Sequence, residues 1–319
     1  MPLGEFELIA RYFTRPARRA VLGVGDDCAV LAPVPGTQWC VSSDMLVEGR
    51  HFLSTVSPQR LGHKALAVNL SDLAACGAEP LAFTLAMALP RADDTFLAGF
   101  AEGLWALADV HGIDLVGGDT TAGPLNICIT VFGTVPAGQA LLRSGACAGD
   151  ELWVSGTLGD ARAALECVRG TLALPGDAFE QLRQAMERPQ PRVALGMALR
   201  GVASSAIDIS DGLLGDLGHL MKRSGVGARV DVDALPRSAL LAALPSAVQQ
   251  LCLLHGGDDY ELLFTAAPAS RDAVRAAARD AGVAVSRIGR IEAGSQLRVL
   301  DVAGCVLDES AAGFDHFKT

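Results

Sequence analysis

Short apolar runs of strand character alternate along the chain with longer stretches in which apolar residues recur at helical spacing. The runs at 39–43, 82–88, 115–117, 126–134, 151–155, 205–209, 228–232, 260–265 and 283–291 predict strands. The stretches at 58–76, 93–111, 159–169, 191–200, 211–224 and 270–281 predict helices. Such alternation excludes an all-helical or all-β protein and predicts an α/β fold of layered α+β type. The segment 135–150 is rich in Gly and Ala and a second set of elements starts beyond it, which predicts two domains, 1–138 and 139–319. No repeat of fixed period is present; GGDTT (117–121) and GGDDY (256–260) are alike but too short to establish a duplication.

Composition narrows the classes. A chain of 319 residues, half of them hydrophobic, builds two ordinary cores and is not disordered. Its mean hydropathy is +0.32. With 36 acidic against 26 basic side chains the net charge is −10, so no fold-wide basic surface for nucleic acid exists. An acidic protein of this kind binds polyanions only where metal ions or a local basic group reverse the sign. The most apolar short stretch, 81–89, is about half the length of a bilayer-spanning helix, and no membrane association is expected. The N-terminus lacks the pattern of an export signal. The eight cysteines include no C-x-x-C pair and read as small buried hydrophobes in a reducing cytoplasm.

The aspartates carry the chemical signal. They recur beside glycine or serine at the ends of predicted strands, as in Gly25-Asp26-Asp27, Ser42-Ser43-Asp44, Gly117-Gly118-Asp119, Asp208-Ile209-Ser210-Asp211-Gly212 and Gly256-Gly257-Asp258-Asp259. Asp72 instead lies inside a helical run among apolar neighbours, where a solvated carboxylate is not expected. Taken singly, each is explained as a turn former or helix cap. Taken together at strand ends, where α/β sheets bind ligands, they would repel one another unless cations intervened. Hard carboxylate oxygens suit Mg²⁺ bridged to phosphates. Six histidines with no H-x-x-x-H spacing argue against a zinc hydrolase. A P-loop is absent: the only lysines are Lys64, Lys222 and Lys318, and none follows a glycine. Gly23-Val24-Gly25 begins like a dinucleotide loop but continues into carboxylates.

These motifs permit a family comparison. GEFELIARYF (4–13), GVGDDCAVL (23–31), SSDMLVEGRHF (42–52), KALAVNLSDLAACGAEP (64–80), GGDTT, RSGACAGD (143–150), SSAIDISDGLLGDLGHL (204–220) and GGDDYELLFT (256–265) occur in family order. Through them the chain resembles the thiamine-monophosphate kinases, of the superfamily that includes aminoimidazole ribonucleotide synthetase, over essentially its whole length. The resemblance implies an N-terminal α/β domain that dimerises through its sheet, a C-terminal α/β domain, and a site in the cleft between them. It implies a cytoplasmic homodimer that uses ATP as co-substrate and several Mg²⁺ ions to phosphorylate thiamine monophosphate. Carried over by position, Asp27, Ser42, Ser43, Asp44, Asp72, Asp119, Asp208 and Asp211 are the implied Mg²⁺ ligands. Gly118, Asp119, Arg143 and Ser210 are the implied ATP contacts, and His51, Asp258 and Phe314 the implied substrate contacts. No general base is implied; Arg143 and the metals assist. From pattern alone, His51 and Arg143 read equally as surface residues and Phe314 as a cover for the core.

Two departures stand out. Asp258 replaces the family's usual Glu and reaches one methylene less. Phe314 stands where Tyr or Trp is frequent, which keeps a stacking face and loses a polar handle. Ser42 and Ser43 replace a more usual Ser/Thr mix. Two rival readings remain at this level. One is a superfamily relative acting on aminoimidazole ribonucleotide precursors or on selenide, for which Cys28 would need to be reactive rather than packed. The other is a sensor that binds without turnover.

Overall fold

Residues 4–307 are described in the computed structural model. They form two units: residues up to Leu73 together with Ala78–Gly138, and Ala74–Gly77 together with the described residues from Gln139 onward.

In the first unit, α1 (Glu5–Leu8) runs into a π-helical turn, Ile9–Phe13, and is followed by β1 (Thr37–Val47), α2 (Pro58–Ala75), β2 (Glu79–Leu89), α3 (Asp94–His111), β3 (Asp114–Ala122) and β4 (Asn126–Pro136). The strands form one sheet in the order β1-β4-β2-β3. β2 and β3 run parallel, joined through α3, and the other pairs are antiparallel. One face of the sheet supplies Leu46, Phe83, Leu85, Ile127, Ile129 and Val131, all buried. On the opposite face Trp39, Val41 and Met45 are exposed, and the Trp39 ring meets Phe132 edge-on at 6.3 Å. That one-sided alternation is what a half-covered antiparallel sheet requires. Helix α2 is buried nearly all round, from Leu61 through Ser71, so it is a core helix and not an amphipathic surface one. Each large apolar side chain it buries contributes roughly 1.5–3 kcal/mol. Helix α3 starts at the Asp93 carboxylate, which accepts from Thr95 N and Phe96 N, and stops at left-handed Gly112. The N-terminal arm is strapped to α3 and β3: Tyr12 donates to Asp94, and Arg18 and Arg19 donate backbone N–H groups to Asp114.

The second unit contains β5 (Glu151–Ser155), α4 (Asp160–Val168), α5 (Gly176–Glu187), α6 (Val193–Ala198), β6 (Ser205–Asp208), α7 (Leu213–Ser224), β7 (Gly227–Asp231), α8 (Ala239–Ala242), α9 (Ser246–His255), β8 (Leu262–Ala266), α10 (Arg271–Asp280), β9 (Val285–Glu292), β10 (Leu297–Leu300) and β11 (Val306–Leu307). Its mixed sheet has the order β11-β10-β7-β9-β5-β8-β6. β5, β6 and β8 are buried at every position, as strands covered on both faces must be.

Several expectations are corrected. The predicted strand 115–117 extends to Ala122, so Asp119 lies within β3, and Asp44 likewise lies within β1. Neither marks a strand end. The predicted strand at 260 begins only at Leu262, because Asp258 and Tyr260 hold left-handed φ values of 67° and 51°. The predicted helix at 211 begins at Leu213, which leaves Asp211 and Gly212 in a loop. α1, α5, α8, α9, β10 and β11 lie outside the predicted elements. The cysteines are all free, but Cys28, Cys147 and Cys305 are exposed and only Cys252 is buried, so the packed reading fails for most of them. Among the described residues, no helix is long and apolar enough to cross a membrane.

Candidate active site

In the first unit, β1 and α2 bring three predicted ligands together. The Ser42 hydroxyl donates to Asp72 Oδ2 at 2.5 Å, and Asp44 N donates to Asn69 Oδ1 at 3.0 Å. Asn69 is itself held by its Nδ2 bond to Ala65 O, so α2 grips β1 with a fixed amide. Asp72 thus has a polar neighbour inside an otherwise apolar helix, which answers why a carboxylate is tolerated there. Ser43 faces the other way, because successive strand residues alternate. Its hydroxyl meets Thr130 Oγ1 at 2.9 Å and Ile129 O at 3.2 Å, away from the Ser42–Asp72 pair.

Past the end of β1, His51 is half-buried. Its Nδ1 accepts from Val47 N at 3.0 Å, which leaves Nε2 to carry the proton of the neutral ring. Buried Lys64 donates to the His51 carbonyl at 3.0 Å and ties this loop to α2.

Asp119 is exposed on β3. β1 and β3 are the outer strands with β4 and β2 between them, so Asp119 stands about 14 Å from β1 at the usual strand spacing. Gly118, at φ 153°, is required by a close approach: a Cβ there would sit 1.8 Å from Leu85 O. Asp27 is exposed in the segment before β1, its N–H bonded to Asp26 Oδ1.

The second unit gathers its residues on loops. Asp208, buried, ends β6 opposite Leu262 of β8. The ladder continues beyond both strands: Ile209 N donates to Glu261 O, Tyr260 N to Ile209 O and Asp258 N to Ser210 O, at 2.8, 2.8 and 2.9 Å. Asp208, Ser210, Asp211 and Asp258 are therefore held on two segments that run side by side. Gly257 permits their close approach, since a Cβ there would lie 2.5 Å from Ser210 O. The left-handed Asp258 and Tyr260 are the only non-glycine residues of positive φ among those described, and Tyr260 Oη donates to Asp258 Oδ1 at 3.2 Å. Strain of this kind costs of order 1–3 kcal/mol per residue and collects at functional sites.

Three carboxylates, buried Glu261 and Asp216 and half-buried Asp259, brace these segments. Glu261 accepts from Ser155 Oγ at 2.5 Å and from Arg192 Nε at 2.7 Å, with a second guanidinium bond alongside. Asp259 accepts from Gly159 N, and desolvation pushes its carboxyl well above the usual range, with the Glu261, Asp160 and Asp258 carboxylates adding to the shift. Asp216 accepts from Ser210 N, Asp211 N and Gly212 N; burial and then the nearby Asp211 carboxylate push it up to about 7 against those three bonds. Sequence reading missed Glu261 and Asp216 and carried Asp259 only within the 256–259 string. A residue four positions after Gly212, in the first turn of α7, was the available signal for Asp216.

Arg143 is exposed on a loop tied to β6 through Ala206 N bonded to Leu142 O, two residues before Asp208. Ser224 Oγ donates to Arg143 O at 3.0 Å and accepts from Ala146 N, which fixes the loop. Phe314 lies outside the described residues.

Among the described residues, no three His, Cys, Asp or Glu side chains form a ready-made metal cage. The donor chemistry nevertheless fits Mg²⁺. All the candidates offer oxygen, and Mg²⁺ is held through one or two carboxylates with water and substrate phosphates completing its shell. The Ser42–Asp72 pair and the Asp208–Asp211 loop are donors of that kind.

The family model for the AIR synthase related protein N-terminal domain matches residues 25–135, and that for the C-terminal domain matches 148–302. These define a two-domain α/β protein of AIR synthase related type. The thiamine-monophosphate kinase of Salmonella typhimurium is 45% identical and aligns over 100% of both chains. The crystal structure of the thiamine-monophosphate kinase from Stenotrophomonas maltophilia is 46% identical, with a TM-score of 0.85 over 96% of this chain and 95% of that one. AaThiL in complex with AMPPCP and TMP is 29% identical, with a TM-score of 0.76 over 90% of this chain and 89% of that one. This chain belongs to the thiamine-monophosphate kinase family.

Proposed function

We propose that the protein transfers the γ-phosphoryl group of ATP to the phosphate of thiamine monophosphate, giving thiamine diphosphate and ADP. The observation that carries this reading is the antiparallel pairing of segments 208–212 and 256–260, which gathers Asp208, Ser210, Asp211 and Asp258 on one braced loop pair. Family membership and the known AMPPCP and TMP complex of a relative support it.

The acceptor is a phosphate oxygen, whose second pKa of about 6 leaves it mostly ionised at pH 7. No side chain has to remove a proton from it, so the reaction needs no general base. ATP and the monoester bring together about six negative charges, which the acidic protein can accept only with cations present. Mg²⁺, when bound, neutralises and orients these phosphates. Asp44, Asp72 and Asp119 are assigned to the cations on ATP, with Ser42 and the Ser43 carbonyl assisting. Asp27, Asp208 and Asp211 are assigned to those nearer the acceptor. Gly118 offers backbone to the nucleotide and Ser210 its hydroxyl. Arg143 pairs with a phosphate, bidentately where geometry allows. His51, Asp258 and Phe314 hold the thiamine phosphate, and Phe314 stacks on its ring system. The transfer is then in line and is accelerated by positioning and charge neutralisation.

The reading includes a cytoplasmic homodimer. The exposed Trp39, Val41 and Met45 face of β1 supports pairing with a second copy, and eight free thiols support a reducing compartment. An assay of ADP and thiamine diphosphate formed from ATP, Mg²⁺ and thiamine monophosphate tests the activity. Equimolar products are expected; ADP without thiamine diphosphate would refute it.

A further inference from the structure

Asp216 is not among the residues assigned above, yet it is 3% exposed and directly behind the site. Its Oδ2 receives three consecutive backbone N–H groups, from Ser210 at 3.0 Å, Asp211 at 3.1 Å and Gly212 at 3.2 Å. Its own N–H closes on Gly212 O at 3.0 Å. Gly212, at φ 115° and ψ 148°, turns the chain into α7 at this point. On its other side the loop is held by Asp258 N bonded to Ser210 O and Tyr260 N bonded to Ile209 O. The N–H groups of 210–212 thus converge on one oxygen, while the side chains of Ser210 and Asp211 stay half-buried.

An ordinary helix start needs one or two such bonds, and Ser, Thr or Asn supply them from the cap position. Here the cap is glycine, with no side chain to offer, and a carboxylate reaches back from inside the helix. A carboxyl oxygen has the lone pairs to accept several donors. Without it three amides, that of Gly212 buried and those of Ser210 and Asp211 half-buried, would lose this partner. The cradle fixes the backbone dihedrals of the two residues whose side chains matter.

We infer that Asp216 is a positioning residue: through the backbone of Ser210–Asp211–Gly212 it presents Asp211 and Ser210 to the cation and nucleotide. The inference rests on the assignment of Asp211 as a cation ligand and Ser210 as an ATP contact. It adds the residue that holds the Ser-Asp-Gly loop as a fixed donor array.

The test uses the full chain carrying Asp216→Ala, Asp216→Asn or Asp211→Asn. Amide exchange at 210–212 is followed without nucleotide, Mn²⁺ binding by titration, and Mg²⁺ activation by ADP release. Asp216→Ala is expected to lose about tenfold protection at those three amides, and to weaken Mn²⁺ binding and Mg²⁺ activation about tenfold, as loss of shared hydrogen bonds predicts. Turnover at saturating Mg²⁺ stays within about threefold. Asp216→Asn, which keeps an acceptor oxygen, stays within about threefold in all readouts. Unchanged Mn²⁺ binding in Asp216→Ala overturns the inference. So does exchange that rises throughout α7 with no change in cation dependence, which marks a purely structural residue. If Asp216→Ala does not fold, Asp216→Asn decides: weakened Mn²⁺ binding with amide protection intact overturns positioning. Asp211→Asn separates the two levels. If it leaves Mn²⁺ binding unchanged, the assignment of Asp211 falls; if it weakens binding while Asp216→Ala does not, only the inference falls.

Discussion

The two units hold their candidate residues in different ways. The first places Ser42, Asp44, Asp72 and Asp119 on β1, α2 and β3, where regular backbone bonding already fixes them. The second places Arg143, Ser210, Asp211 and Asp258 on loops, where Glu261, Asp259 and Asp216 take over the bracing from beneath. In the first unit the candidate side chains sit on regular elements; in the second two of the bracing carboxylates, Glu261 and Asp216, are themselves buried, so site and stability are coupled.

The sharpest way to break that contrast is to neutralise the first unit's ligands. Asp44→Asn and Asp72→Asn should each lower kcat/KM by about a thousandfold or more, as loss of charge stabilisation in phosphoryl transfer implies. Their melting temperatures should stay within about 4 °C of the parent, since each substitution keeps the side-chain volume and an acceptor oxygen. Steady-state kinetics and calorimetry check both halves; near-normal turnover in both variants would end the cation scheme. In the second unit the order of effects should reverse. Arg192→Ala leaves buried Glu261 short of its partner and should cost about 3 kcal/mol in chemical denaturation, with activity lost only as the fold is lost. A smaller effect is expected at Ser42. Ser42→Ala removes the bond to Asp72 and should reduce kcat/KM about tenfold without changing stability by more than about 1 kcal/mol.

The smallest effect is a pH slope. The folded-state pKa of Asp259 is raised by desolvation, so the folded chain binds its proton more tightly than the unfolded chain. The stability this provides is complete below about pH 4 and is lost as pH rises toward the folded-state value. Asp259→Asn keeps an acceptor for Gly159 N and removes the titration. Its stability relative to the parent should therefore rise with pH when unfolding is measured between pH 5 and 8. A difference that stays constant over that range would show that Asp259 does not titrate there.

Much of this was legible beforehand. The long helices α2 and α3 carry strong helical periodicity, and Asp93 and Gly112 announce the ends of α3 in sequence. The aspartate-glycine strings named the family and almost every candidate residue. α5 was missed because its twelve residues bury only Leu182, Met186 and Glu187, too narrow a stripe to stand out. β10 and β11 are too short to show a period. The exposure of Cys28 and Cys147 was misread because apolar neighbours in sequence say little about which side of a loop faces water. The braces were invisible for a related reason: Asp216, Asp259 and Glu261 look like surface acids until the chain folds over them.

Local pattern was enough to determine that this chain alternates strands with helices, and that its chemistry rests on oxygen donors rather than on thiol, imidazole or a phosphate-binding lysine. Periodicity and motif spacing are short-range properties, and they survive in a linear string. Only the folded chain decided that Ser42 and Ser43 part to opposite faces of a strand, that segments 208–212 and 256–260 pair side by side, and that one buried carboxylate gathers three amides. Those facts depend on register and burial, which bring together residues far apart in the chain and have no counterpart in the order of the residues alone.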